Sequence, residues 1–266
     1  MYKKKKAALV LSGGAARGAI QLGIISILER EYEFEFFAGT SIGSLIIGFL
    51  AMGWTAEKIL EMFTKKTVNK IIRDFSNSSF GIVSGDNFLD FLNKKFRGKN
   101  IEDVNIPINI VATDFQNGDR VNIQKGLLAE AIRASCGIPI VFQPYWHSRE
   151  KKWLVDGGLS QNFPVDLALE KYHGNIIIAI NVGTYLDENI DFSRKNSSTS
   201  RFKNIKPTVE RIVRIMMRNQ HHKINDERVI FFEPDLKNFS ALSLKQEKFR
   251  KMFEFGQNFA EKIINQ

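Results

Sequence analysis

Cysteine is almost absent from this chain. Cys136 stands alone among 266 residues, so no intrachain disulfide can form, and such usage fits a reducing compartment. A lone thiol supplies neither a redox pair nor a metal site, and Cys136 reads as a small buried residue. Histidine is scarce too: only His147, His173, His221 and His222 are present. There is no internal repeat, no zinc-type spacing and no RNA-binding pattern. No apolar run reaches the roughly 18 residues that a membrane-spanning helix needs. The start sets Lys3 to Lys6 before an apolar run, but that run stops after five residues at Ser12-Gly13-Gly14. A secretory h-region needs about 7–15. These absences lead to the expectation of a cytoplasmic protein that meets a membrane, if at all, at its surface.

What is present is apolar and basic. Hydrophobic residues make up 44% of the chain, and 22 Phe suggest a thick interior or an apolar binding cleft. The length suits one large domain or two small ones; the order of elements reads as a single domain over 1–266. The net charge of +9 admits a solvated basic surface, an anionic membrane partner or nucleic acid. The lysines are spread along the chain without interleaved aromatics. A solvated surface therefore ranks first, a membrane surface second, and no nucleic-acid partner is expected.

Ala7–Leu11 reads as a strand, Ser12–Gly18 as a glycine-rich loop and Ala19–Arg30 as a helix with Ile20, Ile24, Ile27 and Leu28 at helical spacing. A second strand around Phe34–Ala38 runs into Gly39-Thr40-Ser41-Ile42-Gly43 and then an apolar helix. This alternation implies an α/β sheet with both loops at the carboxyl ends of adjacent parallel strands. Helices are expected over Thr55–Thr64, capped by Thr55, and Asp86–Phe96, capped by Asp86. The stretch from Lys65 to Phe96 is a candidate cover over the site or an ordinary surface subregion. Ile106–Phe115 and Arg120–Ile123 flank Asn117-Gly118, a hairpin pair. A helix over Leu127–Ser135 breaks at Gly137-Ile138-Pro139. Trp153–Val155 is a strand leading into Asp156-Gly157-Gly158, followed by a helix at Pro164–Tyr172 and a strand at Ile176–Asn181. Leu186–Lys206 reads as a mobile loop, Val209–Ile224 as a helix and Val229–Glu233 as a strand. Leu244–Ile264 is a long amphipathic helix, expected to pack on the sheet through Phe249, Met252, Phe253, Phe259 and Ile263.

A serine between strand and helix, flanked by Gly39 and Gly43, has the form of a nucleophile elbow. Acyl transfer by serine needs a positioned hydroxyl, a base and donors for the oxyanion. Ser41 supplies the hydroxyl. The loop Gly13-Gly14-Ala15 has backbone N–H groups that an anionic oxygen can approach closely. Arg17 holds this loop's shape, adds positive potential, or is simply an exposed arginine at a helix start. The loop lacks the G-K-[ST] of a P-loop and the middle glycine of a dinucleotide fingerprint. For the base, a Ser41–Asp156–His173 order is available, yet no histidine sits in a glycine-marked loop. Asp156 follows a strand and precedes two glycines. It can act directly on a hydrogen-bonded hydroxyl or merely form a turn.

Together these segments resemble the patatin-like phospholipase family, in particular its shorter bacterial members. Four blocks match in order: Ser12-Gly13-Gly14-Ala15-Ala16-Arg17-Gly18, Gly39-Thr40-Ser41-Ile42-Gly43, Ala134-Ser135-Cys136-Gly137-Ile138-Pro139 and Asp156-Gly157-Gly158. The resemblance runs from about Ala7 to Asn181. It implies a three-layer α/β/α sandwich with a mainly parallel central sheet. It also implies a Ser–Asp dyad without histidine, with Ser41 as nucleophile and Asp156 as general base. The implied substrate is a phospholipid or lysophospholipid acyl ester, and no metal or cofactor is called for. Ser12 and Ala15 depart from the pattern, standing where family members often carry glycine. A Ser–Asp–His esterase and a catalytically silent lipid-surface protein are the competing readings.

Overall fold

The computed structural model describes residues 3–65, 81–183, 224–241 and 245–265. Strand β1 (Lys5–Leu11) sends Ala7, Leu9 and Leu11 to one core and Ala8 and Val10 to another. Its unbroken apolar run is what a strand covered on both faces requires. After a 3-10 turn at Ala15–Arg17, α1 (Gly18–Leu28) is buried along its whole length. Strand β2 (Tyr32–Thr40) leads through Ser41 into α2 (Ile42–Ala51). Both helices lack charged residues, so no face needs water and both lie in the interior.

Helix α3 (Ala56–Thr64) starts as expected, with Thr55 Oγ1 accepting the Lys58 N–H. Strand β3 (Gly81–Val83) precedes α4 (Asp86–Phe96). Here the cap expectation is corrected: Gly85 holds the cap position, and Ser84 Oγ accepts the Asp86 N–H. Gly85 has a left-handed φ of +84°, which glycine adopts without the steric cost of a Cβ. Then follow β4 (Ile108–Asp114), β5 (Arg120–Ile123), α5 (Leu128–Ser135), β6 (Ile140–Phe142), β7 (Tyr145–His147) and β8 (Lys152–Asp156). The remaining described elements are α6 (Val165–Lys171), β9 (Ile177–Ile180), β10 (Val229–Phe232) and α7 (Gln246–Ile264). The mobile loop expected over Leu186–Lys206 and the helix expected up to Ile224 fall almost wholly outside the described residues.

The main sheet has the order β10-β9-β1-β2-β4-β8-β7, with β5 also paired to β4. It is parallel from β10 to β4 and antiparallel beyond. Helices cover both faces: α1 to α5 and α7 line the larger core, and α6 lines the smaller. The α/β/α sandwich is therefore present, on a mixed sheet. Short strands β3 and β6 pair separately; neither has a periodic pattern of its own.

Of the candidate cover, residues 66–80 lie outside the described residues. Residues 81–96 are packed: Leu92 and Phe96 are buried, and the Arg133 guanidinium donates to the carbonyls of Ser84, Gly85 and Gln143. Helix α7 also differs from expectation. It lies across α1 and α3 rather than on the sheet, which it meets through the Phe259–Phe232 ring contact. The close approach to α1 depends on two glycines. A Cβ on Gly23 would stand 2.0 Å from Phe253 O, and one on Gly256 would stand 2.3 Å from Ile20 O. Backbone cannot yield as a side chain does, so this clash outweighs the ~1 kcal/mol that alanine gains over glycine inside a helix. Gly23→Ala and Gly256→Ala should each destabilise the fold by about 1–3 kcal/mol, read as a lower urea midpoint at unchanged slope.

Candidate active site

Strand β4 has two edges, and its register decides where the site forms. Val111 pairs with Thr40 of β2 and Asn122 of β5; Ala112 pairs with Asp156 of β8 and Val121 of β5. With β5 on one edge, β2 and β8 must share the other. They approach from opposite directions and end one register position apart. Ser41 follows the last residue of β2, and Asp156 is the last residue of β8, so the two side chains meet. Ser41 Oγ donates to Asp156 Oδ2 at 2.7 Å.

The elbow is strained and tightly held. Ser41 has φ +53° and ψ −124°, a region costing a non-glycine residue about 1–3 kcal/mol. Its N–H donates to Ser135 Oγ at 2.9 Å, and Ser135 Oγ donates in turn to Val111 O at 2.6 Å. Ser135 is fully buried at the end of α5. Its hydroxyl ties the turn after β2 to the strand beside it. Ser135 lies within the Ala134–Pro139 block, but no local rule marks its hydroxyl as the partner of the Ser41 amide. Gly43 lets α2 run against β1: a Cβ there would stand 2.6 Å from Leu11 O. Gly39 lies in β2 beside Gly43, and Gly18 begins α1 against Ile42.

Asp156 is held at both oxygens. Oδ2 takes the Ser41 hydroxyl, and Oδ1 accepts the Gly158 N–H at 2.8 Å. Its own N–H donates to Gly137 O, and Thr113 Oγ1 donates to its carbonyl. Gly157 packs against Val111 O, where a Cβ would stand 2.1 Å away. Burial pushes the Asp156 carboxyl up to about 6, against the opposing pull of the two hydrogen bonds. That sets it close to the range where a carboxylate base serves at neutral pH.

The glycine-rich loop divides its labour. Gly13 N–H donates to Asn162 O at 3.0 Å, so Gly13 does not offer the free donor expected of it. It instead lets the loop touch the elbow, since a Cβ on Gly13 would lie 3.2 Å from Ser41 Cβ. The N–H groups of Gly14 and Ala15 have no acceptor among the described residues. Ala15 has φ +51°, a conformation that explains the glycine often found here in the family. Ser12 Oγ donates to Gly13 O and accepts the Val182 N–H, so its side chain adds a tether that glycine would lack. Arg17 is 2% exposed and donates to Phe239 O and Val182 O. Its burial excludes the exposed helix-start reading, and of the other two, holding the loop is the one these contacts serve. Asn162, which meets Gly13, carries no sequence signal.

Neither histidine within the described residues is a hydrogen-bond partner of Ser41. His147 is buried on β7, where Nδ1 accepts the Glu150 N–H and burial holds its pKa below the ordinary value. His173 is exposed at the end of α6; His221 and His222 lie outside the described residues. Cys136 sits 3.9 Å from Ser44 Oγ, and burial pushes its thiol well above the usual range. No group of three potential metal ligands occurs among the described residues.

Comparison with known proteins gives concordant results. The family model described as patatin-like phospholipase matches residues 9–169. An uncharacterized NTE family protein of Mycobacterium tuberculosis is 36% identical over 163 residues, which is 60% of this chain and 44% of that one. Lysophospholipase NTE1 of Scheffersomyces stipitis is 27% identical over 290 residues, 97% of this chain and 18% of that one. The chain thus spans less than half the length of these relatives. Among solved structures, VipD from Legionella pneumophila shares the fold with a TM-score of 0.53 at 11% identity, over 99% of this chain and 67% of that one. The family match takes in well over half the chain and includes both strand ends that meet beside β4: the chain belongs to the patatin-like phospholipase family.

Proposed function

We propose that this chain is a serine acyl hydrolase that cleaves carboxylic ester bonds of phospholipids or lysophospholipids through a Ser41–Asp156 dyad and an acyl-enzyme. The observation that carries the reading is the 2.7 Å hydrogen bond from the Ser41 hydroxyl to a buried carboxylate. Family membership and the lysophospholipase name of one relative support the lipid ester.

In the first half-reaction Ser41 Oγ attacks the acyl carbonyl while its proton passes to Asp156 Oδ2. The negative charge on the carbonyl oxygen is met by the N–H groups of Gly14 and Ala15, each such donor contributing about 2.7–4 kcal/mol. Collapse of the tetrahedral species breaks the bond to the alcohol, which leaves with the proton from Asp156. In the second half-reaction Asp156 takes a proton from water, whose oxygen attacks the acyl-enzyme; collapse releases the fatty acid and returns the proton to Ser41 Oγ. Ser135 holds the Ser41 backbone at the angle that aims Oγ.

Ser41→Ala and Asp156→Asn should each abolish ester hydrolysis with the fold retained, and Ser41→Ala should also abolish covalent labelling by a fluorophosphonate. Replacing each of the four histidines by Gln should leave hydrolysis intact; loss of activity in one of them would favour a triad.

The pH dependence follows from the raised carboxyl. Activity requires the ionised base, so kcat/KM should rise with pH and level off above about 6. Stability runs the other way. The folded pKa, about 6, exceeds the ordinary 3.8, so this group's contribution is fully present below 3.8 and is lost as pH rises through 6. The loss is about 3 kcal/mol. Asp156→Asn should flatten that window in urea titrations from acid to neutral pH.

Ser135→Ala should lower kcat about ten- to a hundredfold with little change in KM, because the lost bond positions the nucleophile rather than the substrate. Ser135→Thr, which keeps the hydroxyl, should restore part of the rate; equal loss in both would assign Ser135 to packing alone.

A further inference from the structure

The described surface carries an aromatic row that the chemistry above leaves unused. Phe115, Trp153 and Trp146 are 50%, 53% and 44% exposed. The sheet register aligns them: Trp146 pairs with Trp153, and Phe115 N–H donates to Trp153 O. The two indoles meet edge to face with centroids 5.4 Å apart. Side chains alternate along β8, so Trp153 lies on the sheet face opposite to Asp156. It nevertheless lies at the same end of the sheet. Strand β4 runs parallel to β2, and Phe115 lies four residues beyond Val111, the level at which β2 stops. At about 3.3 Å per residue, the row projects roughly 13 Å past the end of β2 that carries Ser41.

We propose that Phe115, Trp153 and Trp146 form a membrane-docking edge that seats against a bilayer with anionic headgroups. The proposal rests on the lipid-hydrolase reading and names the surface through which that site reaches its substrate. Three features favour a bilayer over a protein partner. The two tryptophans are of the type that partitions to the headgroup level, where an apolar ring and a polar N–H are both satisfied, and Phe115 adds apolar area beside them. The row lies at the catalytic end of the sheet, so seating it brings the dyad toward the acyl esters. The turn between β7 and β8, next to the row, carries exposed Arg149 and Lys151 against the half-buried Glu150. Lys152 is paired with Asp114, and Arg149 interacts with Glu102, so Lys151 is the cation the turn presents to anionic lipid.

The test uses the full chain carrying Ser41→Ala, so that vesicles survive, and sedimentation with phosphatidylcholine vesicles containing phosphatidylglycerol. Replacing Trp146 and Trp153 by Ser should lower vesicle affinity about tenfold or more, whereas Trp153→Phe should retain most of it. With Ser41 intact, the double variant should hydrolyse a soluble short-chain ester at the native rate and lose activity only on vesicles. Quenching of indole emission by brominated lipids in the otherwise unaltered chain gives a second readout, independent of how the double variant folds. Native vesicle affinity in the double variant, absence of quenching, or a native dimer that the double variant dissolves into monomers would each overturn the docking edge. Failure of the native chain on the soluble ester would instead sink the hydrolase reading, leaving the vesicle measurement interpretable.

Discussion

A hydroxyl and a carboxyl 2.7 Å apart, contributed by residues 115 positions apart in the chain, are possible here because β2 and β8 share one edge of β4. The hairpin partner β5 takes the other edge. That leaves a single lane along which a parallel strand arrives from one side and an antiparallel strand from the other. The proposed chemistry sits at the gap where the two strands stop. Change the pairing of Val111 or Ala112 by one residue and Asp156 would face the opposite side of the sheet, since strand side chains alternate.

The site draws on stability as well as geometry. Ser41 occupies a left-handed backbone conformation, and Asp156 is almost wholly removed from water. Neither is favourable alone. Both persist because the surroundings over-determine them: Ser135 anchors the Ser41 amide to Val111, Gly158 donates to the carboxylate, and the close fit of Gly43 on Leu11 leaves the elbow no wider turn. The glycine loop follows the same rule. Arg17, Ser12 and Asn162 fasten it at several points, and the unclaimed amides of Gly14 and Ala15 are what remains. In the proposed mechanism such a rigid cradle would meet developing charge without reorganising at the moment of reaction.

Much of this was legible from residue order. Periodicity marked α1 and α4, a capping threonine framed the start of α3 and a glycine–proline break the end of α5, each within a residue or two, because such signals are local. Asn117-Gly118 marked the β4–β5 hairpin, because turn chemistry is local; Gly118 indeed has φ +81°. The four family blocks carried Ser41 and Asp156. The failures share a cause. Strands β3 and β6, three residues each, are strands only because they pair with one another. The seat of α7 on α1 depends on Gly23 and Gly256 meeting backbone across some 230 residues. Nothing local to Gly13 announces that the carbonyl of Asn162 claims its N–H.

Sequence alone therefore determined the kinds of element, their order and the chemically capable residues, since these depend on side-chain type and near-neighbour spacing. Tertiary structure decided which edge of β4 each strand would take, how deeply Asp156 would be buried and which loop amides would remain unpaired. Those outcomes depend on partners distant in the chain, and the basicity of a carboxylate is set by the solvent and donors that such partners exclude or supply.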